Sequence, residues 1–389
     1  MFKVLTLNQI SPLGLERFPK ERFVVGPEVK DPDAIMLRSF KMHDMALPAG
    51  LKAVGRAGAG VNNIPVAAMS ARGIPVFNAP GANANAVKEL VVAGLLIAAR
   101  NLRGAWEFAQ GLQGSDAEIG RAVEAGKKAY AGFELPGRTL GVVGLGAIGR
   151  MVANVGLLLG MKVVGFDPEL TVEGAWQLSA EVRKAASIEE LLRQVDFVSF
   201  HVPLVDATRH MINAERLRLL RPSATILNFA REGIVDDGAV LAALDAGHLH
   251  GYLCDFPTNQ LKNHPKVLAL PHLGASTQEA EDNCAVMVAD ELRDFLEHGN
   301  IRYSVNFPDV VVAREGVCRL SVANANVPNM VGQISTAMAQ AGLNIHNLVN
   351  KSRGDVAYTL VDLDSPLPDA VYKQIASIPG VMSVRRITA

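Results

Sequence analysis

Between Met1 and about Ala86, apolar runs of strand length (VLTL, FVVG, AIMLRS, LKAVGRAG, IPVFNAP) recur between amphipathic or turn-forming segments. That alternation predicts β-α units whose strands pair into a parallel sheet. Asn83 to Gln110 then reads as one long helix, a natural bridge between two domains, followed by a polar, glycine-rich stretch, GLQGSDAEIG. From Thr139 a second series begins: TLGVVGLG, KVVGFDP, DFVSFHVP, ATILNFAR, GYLCDF and VLALPHLG are runs of strand length, mostly separated by helical patterns. They predict a six-strand doubly wound layout. Another helix, QEAEDNCAVMVADELRDFLEHG, leads to YSVNFPDV, where Pro308 ends the unit. From about Ala313 to Ala389 the pattern is strand (CRLSVANA), helix (NMVGQISTAMAQAG), two strands (NIHNLVNKS, DVAYTLVDL), helix (DAVYKQIAS) and strand (VMSVRRI). This is a βαββαβ unit of ferredoxin-like type. The expected fold is therefore α/β, with two doubly wound, Rossmann-like parallel-sheet domains and a C-terminal ferredoxin-like domain. The short strands of the last domain leave sheet edges open to a second copy, so a homo-oligomer, dimer or tetramer, is expected.

Composition agrees with several soluble domains. The chain has 389 residues, 49% apolar and 20% charged, too long for a single core. A formal net charge of −1, with no long run of one sign, excludes nucleic acid and anionic membrane surfaces as general partners. Cys254, Cys284 and Cys318 are far apart and show no C-x-x-C spacing. They read as reduced thiols of a cytoplasmic protein, and no metal site is expected. The N-terminus lacks an apolar h-region and a cleavage site. The most apolar stretch, Glu89 to Ala99, is about half as long as a bilayer crossing requires.

Chemistry enters at Gly144-Leu145-Gly146-Ala147-Ile148-Gly149. The first glycine permits a tight turn, the second lets a pyrophosphate approach the backbone, and the third lets helix and strand pack closely. The motif follows a strand, opens an apolar helix, and is succeeded by a strand ending in Asp167, eighteen positions beyond Gly149. An acidic residue there can bind both ribose hydroxyls of an adenosine. The next residues, PELTVEGAW, hold no Arg or Lys for a 2′-phosphate. The expected cofactor is NAD rather than NADP.

Four further segments, HVPLVDATRHMIN, NFAREGIVDD, CDFPTN and PHLGAST, stand in fixed order after the glycines. Together with GLGAIG they resemble the D-2-hydroxyacid dehydrogenase family from about Val4 to Pro308, and the C-terminal part resembles an ACT regulatory domain. The resemblance implies a substrate-binding domain over 1–97 and 278–308, an NAD-binding domain over 98–277 and a regulatory domain over 313–389. It implies Arg231 as the clamp on the substrate's carboxylate and 2-oxygen, a task suited to a planar, permanently charged fork. His272 would be the acid/base that takes the 2-hydroxyl proton. Further cofactor contacts are implied at Ala147, Ile148, His201, Val202, Pro203, Thr208, Phe229, Ala230, Arg231, Asp255, His272 and Gly274. One departure stands out: where the family usually places a glutamate partner for the histidine, this chain has Asn259. A neutral amide would raise the imidazole pKa less than a carboxylate, leaving the base for oxidation intact and weakening reduction. Glu279 and Glu281 are the nearest downstream carboxylates that could compensate, although a solvated helix face is the simpler reading of both.

The resemblance also implies a carboxylate loop at Arg56-Ala57-Gly58-Ala59-Gly60, where small residues bring backbone amides to the substrate. Arg38, Arg56 and Lys127 stand where the 3-phosphoglycerate-oxidising members place phosphate-binding cations, which makes 3-phosphoglycerate the expected substrate and 2-hydroxyglutarate a candidate side substrate. Asn324, Asn326 and Asn344 fall at turns where ACT domains bind amino acids, so L-serine is a candidate effector; asparagine is also simply a good turn residue. The competing readings are a dehydrogenase for another D-2-hydroxyacid and a non-catalytic NAD(H) sensor.

Overall fold

A computed structural model describes residues 1–388, and its contacts divide the chain into two units, 1–83 with 278–389 and 84–277. The first unit opens with strands β1 (Phe2–Leu7), β2 (Phe23–Gly26), β3 (Ala34–Leu37), β4 (Ala53–Arg56) and β5 (Val76–Asn78), with helices α1 (Pro12–Leu15) and α2 (Val66–Ala71) between them. They form one sheet in the order β2-β1-β3-β4-β5, parallel throughout. β3 is buried along its whole length, as expected of a strand covered on both faces.

The second unit begins earlier than the sequence suggests, with α3 (Ala84–Ala99). Val87, Val91, Leu95 and Ala99 of α3 share one core with Leu140, Val142 and Leu227, which draws this helix to the dinucleotide sheet and moves the boundary from 97 to 83. The long helix expected over 83–110 is two helices. The Ala99 carbonyl accepts the Phe133 amide at 2.8 Å, Asn101 turns left-handed (φ 50°), and α4 (Leu102–Gly111) starts afresh. Asparagine tolerates that conformation better than most residues. The polar stretch that follows holds α5 (Asp116–Gly126), nucleated by a capping box between Ser115 and Glu118.

Strands β6 (Thr139–Val143), β7 (Lys162–Phe166), β8 (Arg183–Lys184), β9 (Phe197–Phe200), β10 (Thr225–Asn228), β11 (Gly251–Cys254) and β12 (Val267–Ala269) alternate with α6 (Ala147–Leu158), α7 (Val172–Trp176), α8 (Ile188–Leu192), α9 (Ala214–Leu217) and α10 (Asp237–Asp245). The sheet order is β12-β11-β10-β9-β6-β7-β8, the doubly wound arrangement with its switch point between β6 and β9. The seventh strand is β8, whose two residues are too few to show a periodicity.

The chain then returns to the first unit through α11 (Gln278–His298). Its Cys284, Val288, Leu292 and Phe295 are buried with Met36, Ala53 and Phe77 of the five-stranded sheet. Each such side chain contributes about 1.5–3 kcal/mol, so a charge at Leu292 would break this joint. After it come β13 (Cys318–Ala325), α12 (Met330–Gln340), β14 (Ile345–Arg353), β15 (Val356–Leu363), α13 (Asp369–Ala376) and β16 (Val381–Thr388), antiparallel in the order β14-β15-β13-β16. This is the predicted ferredoxin-like domain. Fully buried Arg319 fastens it to the end of α11: it binds Asp362 at 2.6 and 2.7 Å and donates to the carbonyls of His298, Val312 and Ala313 at 2.8–3.0 Å. All five guanidinium donors are thereby satisfied. Among the described residues no helix is long and apolar enough to cross a membrane, and no His/Cys/Asp/Glu group is arranged to hold a metal.

Candidate active site

β6 runs into the glycine turn at the switch point. Gly144 has φ 86°, and a Cβ there would lie 2.6 Å from the His201 carbonyl oxygen; a Cβ on Gly149 would lie 1.8 Å from the Gly144 oxygen. Both positions therefore demand glycine. A Cβ on Gly146, the N-cap of α6, would meet nothing within 4 Å. The turn is thus tight on its inner side and open on its outer side, where the first amides of α6, beginning with Ala147 and Ile148, have no intrahelical acceptor. This is a cradle for an oxyanion. Asp167 braces it from the end of β7, accepting from the Leu145 amide at 2.7 Å and the Glu169 amide at 2.9 Å. Arg150 braces it from within α6, donating to the Leu145 carbonyl at 3.2 Å. Arg150 is a contact outside the sequence expectations, and its signal in the chain is a cation directly after the third glycine.

The segment after β9 is mostly scaffolding for that turn. Val202 packs beneath Gly144. Thr208 donates its hydroxyl to the Pro203 carbonyl at 2.6 Å and accepts the Val205 amide at 2.9 Å, which ties the loop to itself. The His201 ring lies 2.9 Å from the Ser199 hydroxyl through Nε2, and its Nδ1 is buried without a partner. Burial pushes its pKa down to about 3, so the ring is a neutral wall and not an exposed contact.

Two loops at the carboxyl ends of the strands carry the residues expected to perform chemistry. After β10, buried Asn228 accepts the Ala230 amide at 3.3 Å and donates to the Arg231 carbonyl at 2.9 Å. This pins the turn, with buried Phe229 packed inward. Arg231 stands exposed. Its Nη1 donates to the Ala230 carbonyl at 2.6 Å, and no carboxylate among the described residues forms an ion pair with it. After β12, His272 is exposed with φ 57°, a conformation costing about 1–2 kcal/mol. Buried Asp255 holds it there: its carboxylate accepts the amides of Leu273 and Gly274, each at 2.7 Å, while its carbonyl accepts the His272 amide at 3.1 Å. Both Asp255 oxygens therefore organise the histidine loop, and Asn228 and Asp255 emerge as the positioning residues that sequence alone did not single out in that role.

Asn259 does not join this group. Its exposed amide forms no hydrogen bond with the His272 ring, whose neighbour is Phe256, edge-on at 5.2 Å between ring centres. Thr258 accepts the Leu261 amide at 3.3 Å and donates to Asp237 at 3.4 Å, starting a turn that carries Asn259 into solvent.

In the first unit, Arg38 at the end of β3 binds Glu281 of α11 at 2.5 Å. Glu281 is therefore a partner to a cation, not a solvated helix residue. Arg56 donates through Nε to the Arg38 carbonyl at 3.0 Å, and the Asn63 amide donates to the same oxygen at 3.1 Å. In the following loop the Ala57 amide binds the Leu37 carbonyl at 2.8 Å and the Gly58 amide the Arg56 carbonyl at 2.7 Å. Among the described residues the amides of Ala59 and Gly60 donate to nothing, so these two are the loop amides left for a ligand. Lys127, in the second unit, is exposed and paired with Glu124 at 2.5 Å. In the C-terminal domain the three asparagines do not converge: Asn324 is buried and binds the Ala325 carbonyl at 2.7 Å, Asn326 binds the Gly354 carbonyl at 3.0 Å, and Asn344 binds Asp364.

Residues 96–274 match the family model "D-isomer specific 2-hydroxyacid dehydrogenase, NAD binding domain". The chain is 34% identical over 353 residues to a D-3-phosphoglycerate dehydrogenase of Methanocaldococcus jannaschii, covering 86% of this chain and 62% of that one. It is 32% identical over 347 residues to a protein of the same name from Haemophilus influenzae, covering 86% and 81%. The chain thus spans less than two thirds of the archaeal relative's length but most of the bacterial one's. A solved NADPH-dependent glyoxylate/hydroxypyruvate reductase of Sinorhizobium meliloti shares the fold, with a TM-score of 0.65 at 23% identity over 78% of this chain and 98% of that one. The open cradle at Gly146, with the Asp167 carboxylate at the end of β7, fits NAD.

Proposed function

The chain belongs to the D-2-hydroxyacid dehydrogenase family of NAD-dependent oxidoreductases, and on that premise we propose that it oxidises 3-phospho-D-glycerate to 3-phosphohydroxypyruvate, the first step of L-serine biosynthesis in the cytoplasm. The observation that carries this reading is the exposed, ion-pair-free guanidinium of Arg231 and the exposed imidazole of His272, each on a rigidly braced loop at the carboxyl end of one parallel sheet. Arg231 binds the carboxylate and the 2-oxygen as a fork. His272 takes the hydroxyl proton through its neutral ring. NAD, held at the cradle of α6, would supply the acceptor for the hydride lost from C2. Ala147 and Ile148 present helix amides to the pyrophosphate, and Asp167 takes the ribose hydroxyls. Arg38, Arg56 and Lys127 supply charge for the substrate phosphate, and Ala59 and Gly60 supply amides.

With no carboxylate or amide of its own unit on the imidazole, His272 is suited to act as a base in oxidation at alkaline pH. Purified protein with NAD and 3-phosphoglycerate at alkaline pH should form NADH; protein that binds NAD yet forms none would overturn the reading. The same assay with 2-hydroxyglutarate measures the side activity. The C-terminal domain serves assembly of a homo-oligomer or feedback by L-serine, and titrating serine into the assay separates the two.

A further inference from the structure

The first unit contains a cavity of about 500 Å³ walled on one side by α13 and β16 of the ferredoxin-like domain and on the other by β1 and the last turn of α11. Four cations line it, Arg22, Lys52, Arg385 and Arg386, against two carboxylates, Glu297 and Asp369. Three of the cations already have anionic partners: Arg22 with Glu297 at 3.1 Å, Arg386 with Asp369 at 2.7 Å, and Lys52 with Asp33, behind the wall, at 2.5 Å.

Arg385 is different. Its guanidinium lies 4.4 Å over the Phe295 ring and donates to the carbonyls of Phe295 at 3.1 Å and Leu296 at 2.9 Å. Those are neutral acceptors in the last turn of α11, and no carboxylate among the described residues pairs with it. Burial pushes its pKa below the usual arginine value. Capping the helix accounts for two of its five N–H donors, and the other three donate to nothing among the described residues. A desolvated cation that feels the Asp33 carboxylate only through space, that acid being paired with Lys52, is costly to hold. Phe2, Leu296 and Val384 add an apolar lining suited to a short carbon skeleton.

We infer that this cavity is a binding site for a small metabolite bearing a carboxylate or phosphate group, held by Arg385 between the C-terminal domain and the strands and helix it packs upon. An oxyanion supplies the charge Arg385 lacks and accepts the N–H groups left over, as guanidinium–oxyanion pairs do. The site is separate from the dehydrogenase chemistry and does not depend on that reading.

The test is calorimetric titration of the full chain with inorganic phosphate and, separately, malonate, in an Arg38→Gln/Arg231→Gln background with saturating NAD present, so that the substrate cations are removed and the cradle at α6 is occupied. The tighter of the two probes identifies the headgroup. Binding should persist in that background and weaken about tenfold or more on Arg385→Met and on Lys52→Met. If Arg385→Met does not fold, Arg386→Met and Lys52→Met carry the test. Failure of both probes to bind, or binding unchanged by the cavity variants, overturns the proposal.

Discussion

Arg38 in the first unit and Arg231 in the second are held in opposite ways. In the first unit Arg38 carries a resident acid, Glu281, and Lys52 carries Asp33, although Arg385 carries none. In the second, among the described residues, Arg231 donates only to the Ala230 carbonyl, and the His272 ring has Phe256 as an aromatic neighbour and no hydrogen-bond partner. An anion reaching Arg38 must compete with a carboxylate already there, which favours a doubly charged phosphate over a singly charged group. An anion reaching Arg231 displaces nothing but water. The same contrast holds for the buried titrating groups. In the first unit Glu291 is buried with neither oxygen bonded, and burial raises its pKa to about 9. In the second, burial lowers His201 to about 3. Each is neutral at physiological pH, but they respond to opposite ends of the pH scale.

The largest expected effect tests the chemistry of the second unit. His272→Ala should lower turnover by about 10²–10⁴-fold and leave NADH binding, followed by fluorescence titration, unchanged; loss of both would make the residue structural. Arg231→Gln should reduce kcat/KM for 3-phosphoglycerate by about 2–3 kcal/mol, roughly a hundredfold, because a charge-assisted fork is removed. If kcat/KM instead stays within a few-fold of wild type, the unpaired guanidinium is not the substrate clamp.

The contrast in buried groups predicts a pH response next in size. Between the ordinary carboxylate pKa and about 9, folded Glu291 retains a proton that the unfolded chain releases, so this group makes the protein less stable as pH rises through that window. Glu291→Gln should flatten the alkaline fall by about 1–3 kcal/mol, read by urea unfolding at pH 6 and pH 9. His201 works the other way. The unfolded imidazole takes a proton below about 6.5 while the folded one does not until about 3, so its contribution is lost as pH falls through that interval and leaves the alkaline limb untouched. An alkaline limb identical in Glu291→Gln and wild type would contradict the assignment of that fall to this carboxyl.

The smallest effect sharpens the comparison itself. Removing the competitor from Arg38 by Glu281→Gln should lower the KM for 3-phosphoglycerate a few-fold, about 0.5–1 kcal/mol for a partly exposed pair, with kcat little changed. A raised KM would instead mean that Glu281 holds Arg38 in its binding position.

Much of this was legible along the chain. Apart from β8, which is two exposed charged residues at a sheet edge, the strands of both parallel sheets follow from apolar runs, because a strand covered on both faces can tolerate little else. The βαββαβ order of the last domain follows from its change of periodicity, and the cradle from glycines that the backbone geometry independently requires. Less legible were the features made by distant pairs. Nothing near Asn101 announces that Phe133 takes the Ala99 carbonyl and ends α3. Asn259 stands where the resemblance places a glutamate, yet Thr258 and Asp237 start a turn that leaves it exposed.

By itself, then, the sequence determined most of the elements, the order of the strands in the chain, the dinucleotide motif and which side chains are candidates for chemistry, since these depend on local periodicity and on residue chemistry. Only the tertiary structure decided which of those side chains are available. Asp255 is consumed by two amides, Asn228 pins the Arg231 turn, Glu281 neutralises Arg38, and Arg385 is left without an acid. Availability is a matter of which partners folding brings within hydrogen-bonding distance, and partners as far apart as Asp255 and Leu273 or Arg38 and Glu281 carry no local mark of it.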